Sequence, residues 1–227
     1  MLNNKNKKRG FSLIVVSIIL MTMFAGSLAL SVLVLRTTRG VRSMLNSERA
    51  YYAAETAAER ILYKVNKNYE DITSISLSGS INGADYGNDT LNPDLVSSFS
   101  QTLTDGKSLE LSFDLNGATY PSSLNIKNLT ETGGKVILLA FKKTTHQPDN
   151  QEIYTLPASS PSFTTLYFDW ANYYYKIRII NDTGGSAIFQ IYPSSGTFPK
   201  GLIISTWGKK GETKRILQTY LYKWQVF

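Results

Sequence analysis

The chain has 227 residues, with 24 Lys and Arg against 17 Asp and Glu, and no cysteine. That length allows one or two domains behind an anchor, and the lack of cysteine excludes a disulfide framework and a thiolate metal site. Residues 1–71 carry eleven basic and five acidic side chains, whereas residues 72–227 carry thirteen and twelve. The basicity belongs to the N-terminal part, which weighs against a nucleic-acid partner, since that needs a basic face on the folded domain.

Residues 11–35 read FSLIVVSIILMTMFAGSLALSVLVL, without a charge, and Lys5, Lys7, Lys8, Arg9 and Gly10 stand directly before them. At ~1.5 Å per residue this run makes roughly 37 Å of helix, enough to cross a hydrocarbon core of ~30 Å. The basic end predicts a cytoplasmic N-terminus with the bulk of the chain on the other side of the cytoplasmic membrane. Three readings fit a basic start joined to an apolar run. A secretory signal peptide finds a cleavage site at Ser27-Leu28-Ala29, but the apolar run is longer than an h-region and continues to Leu35. A plain single-span anchor is the second reading. The third rests on Lys7-Lys8-Arg9-Gly10-Phe11-Ser12-Leu13 and on the residues from Arg36 to Asn68.

From Arg36 to Asn68 there is no proline, and only Gly40 interrupts. Val41, Met44/Leu45, Tyr51/Tyr52, Ala54, Ala58, Ile61/Leu62 and Val65 recur at helical spacing, with Arg42, Arg49, Glu55, Glu59 and Lys67 on the polar side. The spacing predicts that the apolar helix continues as an amphipathic one. The result is a single rod from Phe11 to Asn68, roughly 85 Å long at ~1.5 Å per residue.

Residues 7–13 resemble the leader of type IV prepilins, in which a short basic segment ends in Gly and the mature chain begins with Phe. The resemblance implies processing by a prepilin peptidase between Gly10 and Phe11, with the apolar stretch kept as the assembly helix. Glu48-Arg49-Ala50-Tyr51-Tyr52-Ala53-Ala54-Glu55-Thr56-Ala57-Ala58-Glu59 is similar to a segment of PilX-type minor pilins and K-type minor pseudopilins. It marks Tyr51, Tyr52, Ala53, Ala54 and Glu55 as a helix assembly segment. Major pilins carry a glutamate five residues into the mature chain, and this chain has Val15 there, with no acidic residue before Glu48. A buried charge without a partner is costly, so its loss bears on which neighbours the subunit can have. In the resembled family that loss implies an initiating or tip subunit. The implied partners are a prepilin peptidase, other pilins or pseudopilins, and an inner-membrane assembly platform. The implied destination is a pilus or pseudopilus.

The resulting division is a leader at 1–10, the transmembrane half of the helix at 11–35, its amphipathic half at 36–71, and an extracytoplasmic β-rich domain at 72–227. Residues 69–106 read as loop, dominated by Ser, Gly, Asn and Asp. Leu109, Leu111, Phe113 and Leu115 then alternate with polar residues, as in a half-buried strand. Val136–Phe141 reads as a central strand. Tyr173–Ile179 alternates too, and Gly184-Gly185 predicts a hairpin turn into Ala187–Tyr192. Leu202–Trp207, the turn Gly208-Lys209-Lys210-Gly211, and Thr213–Trp224 predict a second hairpin. Six or so strands with little helical periodicity make the fold class α+β: a long N-terminal helix followed by an antiparallel sheet or small β-sandwich.

Residues for catalysis are sparse. His146, the single histidine, lies in a loop without a Gly-x-Ser-x-Gly elbow. Glu110, Asp114, Glu131, Asp149, Glu152 and Asp169 are scattered along the chain. Asn82, Asp85, Asn88, Asp89, Asn92 and Asp94 supply oxygen ligands of the kind calcium takes, but not at EF-hand spacing. Phe168-Asp169-Trp170-Ala171-Asn172-Tyr173-Tyr174-Tyr175 suits core packing, or stacking on a sugar or protein if exposed. Lys209, Lys210, Lys214 and Arg215 make a basic hairpin. Asn88, Asn128 and Asn181 each begin an Asn-x-Thr sequon. The expectation is an assembly protein, not an enzyme, without metal or cofactor. The alternatives are an anchored binding or adhesion domain that does not polymerise, and an anchored hydrolase, for which no nucleophile, base or metal set stands out.

Overall fold

The computed structural model describes residues 5–130, 133–156 and 163–227, with side chains from residue 13 onward. Among these residues there is one helix, α1 (Lys5–Asn66), followed by strands in three antiparallel sheets. The helix ends two residues before the expected Asn68. Tyr69 comes next with φ of 52°, a left-handed conformation that turns the chain away.

The first sheet lies against the helix. It is built from β1 (Ser78–Ile81), β2 (Ala84–Asn88), β12 (Phe198–Lys210) and β13 (Thr213–Tyr222), with β3 (Asn92–Val96) paired along the first half of β12. Between β3 and β12 the chain leaves this sheet and builds a β-sandwich. One sandwich layer has the order β14-β5-β10-β7-β8: β14 (Trp224–Val226), β5 (Ser108–Phe113), β10 (Tyr173–Ile180), β7 (Gly134–Lys142) and β8 (Pro148–Leu156). The facing layer has the order β4-β11-β6-β9: β4 (Phe99–Leu103), β11 (Ala187–Pro193), β6 (Ser123–Asn128) and β9 (Thr164–Tyr167). The class is therefore α+β, as the sequence predicts, and the β-rich part is two units: a helix-backed sheet and a sandwich inserted into it.

Alternation explains the sandwich core. Leu109, Leu111 and Phe113 of β5, Val136 and Leu138 of β7, and Ile177 and Ile179 of β10 point inward against Leu124, Ile126, Phe189 and Ile191 of the facing layer. Each of these side chains is at most 5% exposed, and burial of a side chain of this size contributes about 1.5–3 kcal/mol. A separate cluster of Ile61, Val65, Ile72, Leu91, Leu115, Leu202 and Ile204 joins the helix to its sheet.

Four expectations need correction. Residues 69–106 hold four strands, not a loop. β1 and β2 form a hairpin across Asn82-Gly83, whose φ values of 50° and 70° are the pair that a type I′ turn demands. β1, β3 and β4 lie at sheet margins, and these short strands together with β2 carry Pro93, Gly79 and Gly87, so their composition resembles loop. Second, β10 and β11 are not a hairpin, because β10 pairs with β5 and β7, and β11 with β4 and β6. Gly184-Gly185 carries the chain from one layer to the other. Third, β12 runs through Gly208 to Lys210, and the tight turn is Gly211-Glu212. Fourth, Thr213–Trp224 is not one strand: β13 ends at Tyr222, and β14 crosses to pair with β5 of the sandwich.

Asn181 explains the second correction. It is 0% exposed; its Nδ2 donates to Leu103 O at 2.8 Å and Gly185 O at 2.7 Å, and its Oδ1 accepts from Thr183 Oγ1 at 2.7 Å. One side chain thus clamps the end of β4 to the crossing between layers. Asn128 closes the same turn with Thr130, and Asp71 with Thr73. Asn88 Oδ1 accepts from Leu77 N, and its Nδ2 donates to Ile75 O. The sequon asparagines are structural. Asn181→Ala is expected to lower unfolding stability by about 2 kcal/mol, because it leaves buried carbonyls without donors. A urea titration of the full chain checks this, and a parent-like midpoint would show that the crossing is held by other contacts.

Candidate functional site

The helix has two surfaces made by two compositions. At ~1.5 Å per residue its 62 residues span about 93 Å. Leu13 through Leu35 are exposed on every side, and the segment is long and apolar enough to cross a membrane. Its hydroxyls are satisfied within the helix: Ser17 donates to Leu13 O, Thr22 to Ile19 O, Ser27 to Phe24 O and Ser31 to Ser27 O, all at 2.8–2.9 Å. A hydroxyl bonded back to its own turn has no unmet donor in hydrocarbon, so these residues suit a lipid or helix–helix environment. Val15 is 40% exposed on this rod. A Cβ built on Gly26 or Gly40 meets nothing within 4 Å. The backbone of Gly10 and Phe11 lies within α1, and their side chains fall outside the described residues.

From Ala50 onward the helix has an inward face. Ala50, Ala53, Ala54, Ala57, Ala58, Ile61 and Val65 keep to the three–four spacing of one helix face and are 0–4% exposed. Five alanines let the helix axis lie close to the sheet. The tightest approach is at Gly208: a Cβ there would stand 1.9 Å from Ala50 O and 2.8 Å from Ala54 N. One pair further along β12, the buried Thr206 donates its hydroxyl to Ala54 O at 2.9 Å. The five residues of the expected assembly segment therefore divide. Ala53 and Ala54 face the chain's own sheet, Tyr51 and Tyr52 are 45% and 56% exposed in an edge-to-face pair 5.9 Å apart, and Glu55 is half-buried beside them. Tyr51, Tyr52 and Met44 border a groove closed on the sheet side by Arg215 and Ile216. Arg215 Nε donates to Ser47 Oγ at 2.8 Å.

The other sequence candidates disperse. In the basic hairpin, Arg215 is engaged with Ser47, Lys210 Nζ donates to Gly83 O, and Lys214 Nζ sits 5.3 Å from the Trp207 ring centre. The oxygen-rich residues spread over the β1–β2 turn, β2, the β2–β3 connection and β3, with Asp94 paired to Lys200 at 3.2 Å. No group of three metal-ligating side chains occurs among the described residues. Glu131 lies outside them. His146 is exposed, with φ of 55°, and stacks on Tyr69 at 3.9 Å, so the β7–β8 turn is tied to the segment that leaves the helix. Of the aromatics in residues 168–175, Phe168, Trp170, Tyr173 and Tyr175 pack on the sandwich core, whereas Tyr174 stacks with Tyr69 and His146; Trp170 Nε1 donates to Pro121 O at 2.7 Å, and Tyr175 is 6% exposed.

Glu110 anchors the outer face of the first sandwich layer, 2.8 Å from Arg178 and 3.5 Å from Lys176. Partial burial pushes its carboxyl up, but the Arg178 hydrogen bond and the two neighbouring cations outweigh burial and hold it below the ordinary 4.5. A depressed folded value means this contribution to stability is complete above the ordinary value. It is lost as the pH falls through the folded one. Glu110→Gln is therefore expected to melt below the parent at about pH 7, with a smaller gap at about pH 3. Thermal melts at the two pH values check this, and a constant gap would rule out ionisation of Glu110 as its source.

Sequence reasoning missed Gly208 and Thr206. The available signal was a glycine at the end of an apolar β run, which can mark a close backbone approach as well as a turn.

No family model matches the chain, and no curated protein matches it. Among solved structures, a mitogen derived from Yersinia pseudotuberculosis aligns at 9% identity over 56% of this chain and 96% of its own, with a TM-score of 0.31. A family 4 carbohydrate-binding module aligns at 15% identity over 58% of this chain and 81% of its own, with a TM-score of 0.20. The family 11 carbohydrate-binding module of the cellulosomal cellulase Lic26A-Cel5E of Clostridium thermocellum aligns at 12% identity over 53% of this chain and 80% of its own, with a TM-score of 0.21. At TM-scores this low the likeness extends to neither fold nor function.

Proposed function

We propose that this chain is a minor type IV pilin or pseudopilin that assembles through its N-terminal helix into a pilus or pseudopilus, as an initiating or tip subunit. One observation carries the reading: a single uninterrupted helix is apolar on all sides in its first half and seated on an antiparallel sheet by alanines in its second. A helix used only as an anchor does not need to run unbroken into the folded body. A filament subunit does, because the body must be held at a fixed position relative to the packed helices. In this reading a prepilin peptidase cuts between Gly10 and Phe11, and the basic leader stays cytoplasmic. Residues 11–35 leave the bilayer for a bundle of other pilins, where packing rests on Ala25, Gly26, Ser27 and Ala29. Val15 supplies no carboxylate to a neighbour's terminal amine, which suits a subunit with no neighbour on one side. The inner-membrane assembly platform is the third partner, and the work is assembly, not catalysis.

The test is the intact N-terminal mass of the protein from native membranes. The expected chain begins at Phe11, with an N-methyl group as the resemblance implies. A chain beginning at Met1 overturns the proposal in favour of an anchored domain that does not polymerise, and one beginning near Leu30 overturns it in favour of a secreted domain.

A further inference from the structure

The outer faces of the three sheets differ in how their polar groups are used. On the first sandwich layer, Glu110 gathers Lys176 and Arg178. On the helix-backed sheet, Lys214 covers Trp207. The outer face of the β4-β11-β6-β9 layer is different. Tyr192 of β11, Asn125 of β6 and Thr165 of β9 are register partners in one row, and Gln190 and Lys127 are partners in the next. Tyr167 lies on the same face of β9, 76% exposed, and Phe163 meets Tyr192 edge-on at 6.4 Å between ring centres.

The polar groups here have spare capacity. Asn125 is only 9% exposed; its Oδ1 accepts from Thr165 Oγ1 at 2.8 Å, and its Nδ2 donates to nothing among the described residues. Among the same residues, the Gln190 amide, the Lys127 ammonium and the hydroxyls of Tyr167 and Tyr192 have no hydrogen-bond or ion-pair partner. The Asn125 Nδ2 is not among the buried unpaired atoms, so it is reachable at this face, and a ligand can supply its acceptor.

We propose that this face is a binding site for a pyranose-containing glycan. Aromatic rings present apolar faces that match the C–H face of a sugar ring, while amide and ammonium donors and phenolic hydroxyls match its ring of hydroxyls. The charge balance selects this ligand over nucleic acid, since Lys127 is the one cation in the rows described and phosphate backbones are held by several. The sheet fixes the spacing of the groups before binding, which lowers the ordering cost. A site here lies on the inserted sandwich and leaves the helix free, so it stands whether or not the chain enters a filament.

The experiment uses the full chain in a detergent without a sugar headgroup. The chain is applied to an array of neutral and carboxylate-bearing linear oligosaccharides, and the strongest binder is then titrated by calorimetry. At least one glycan is expected to bind. Tyr167→Ala and Tyr192→Ala are expected to weaken it about tenfold each. Tyr220→Ala, 48% exposed on the helix-backed sheet, is the control and keeps parent affinity. Tyr167 is so exposed that its removal leaves the melting temperature unchanged, which separates lost binding from lost folding. Asn125→Asp keeps the oxygen facing Thr165, removes the donor and is expected to weaken binding. An array without a bound glycan overturns the proposal. So does parent affinity in both tyrosine variants, or binding that Lys127→Ala abolishes and the tyrosine variants leave intact.

Discussion

Gly208→Ala is expected to destabilise the helix-backed sheet by about 3 kcal/mol or more, despite adding one methyl group. The added Cβ would stand 1.9 Å from Ala50 O and 2.8 Å from Ala54 N. Both are backbone atoms of a continuous helix, so no side chain can rotate away. The helix would have to lift, and lifting it also breaks the hydrogen bond from Thr206 to Ala54 O and opens the contacts of Ile61 and Val65 with Leu202 and Ile204. Gly185→Ala is the control, since a Cβ there meets nothing within 4 Å. It is expected to change stability by about 0.5 kcal/mol at most. Urea unfolding of both variants as full chains checks the difference. Hydrogen exchange locates the damage: faster exchange is expected in β12 and β13, with the separate core of the sandwich retained. Equal midpoints for the two variants would mean that helix and sheet are less tightly apposed than the Gly208 contact requires.

Legibility in the sequence depends on how each residue's environment is encoded. The helix is readable because its first half is a continuous uncharged apolar run of membrane-spanning length and its second half repeats small and apolar residues at the helical period. Leu109, Leu111 and Phe113 are readable for the same reason, with a period of two. The sheet connections are not. Gly184-Gly185 is equally compatible with a hairpin and with a crossing between layers, and the choice is made by Asn181 bonding to Leu103, which is 78 residues away. Polar edge strands such as β1 and β3 lack apolar alternation because little of them is buried, although Asn82-Gly83 is a hairpin signal in plain view. The split of Tyr51 to Glu55 into an inward and an outward half comes from the three–four spacing of the alanines. Gly208 is easily misplaced because glycine in a turn and glycine under a helix look the same one residue at a time. The inserted sandwich has no local signature, since its two layers are assembled from strands that are mostly not chain neighbours.

Gly10→Leu is expected to separate assembly from folding. Under the proposed function it blocks the peptidase, so the intact mass moves from a chain starting at Phe11 to one starting at Met1. Protein is then lost from the sheared filament fraction and kept in the membrane. The folded body should not notice. Leu13 through Leu35 are exposed throughout, and the inward face of the helix begins at Ala50, about 60 Å further along at ~1.5 Å per residue. The urea midpoint of the variant is therefore expected to equal the parent's. That pairing matters because a destabilised body could also keep a subunit out of filaments. Gly208→Ala should do so through folding, with its N-terminus still at Phe11, and Gly10→Leu through processing, with its body intact. If Gly10→Leu protein still begins at Phe11, the processing site lies elsewhere. If both variants begin at Met1 in cells whose other pilins are cut, the helix is an anchor and the filament reading fails.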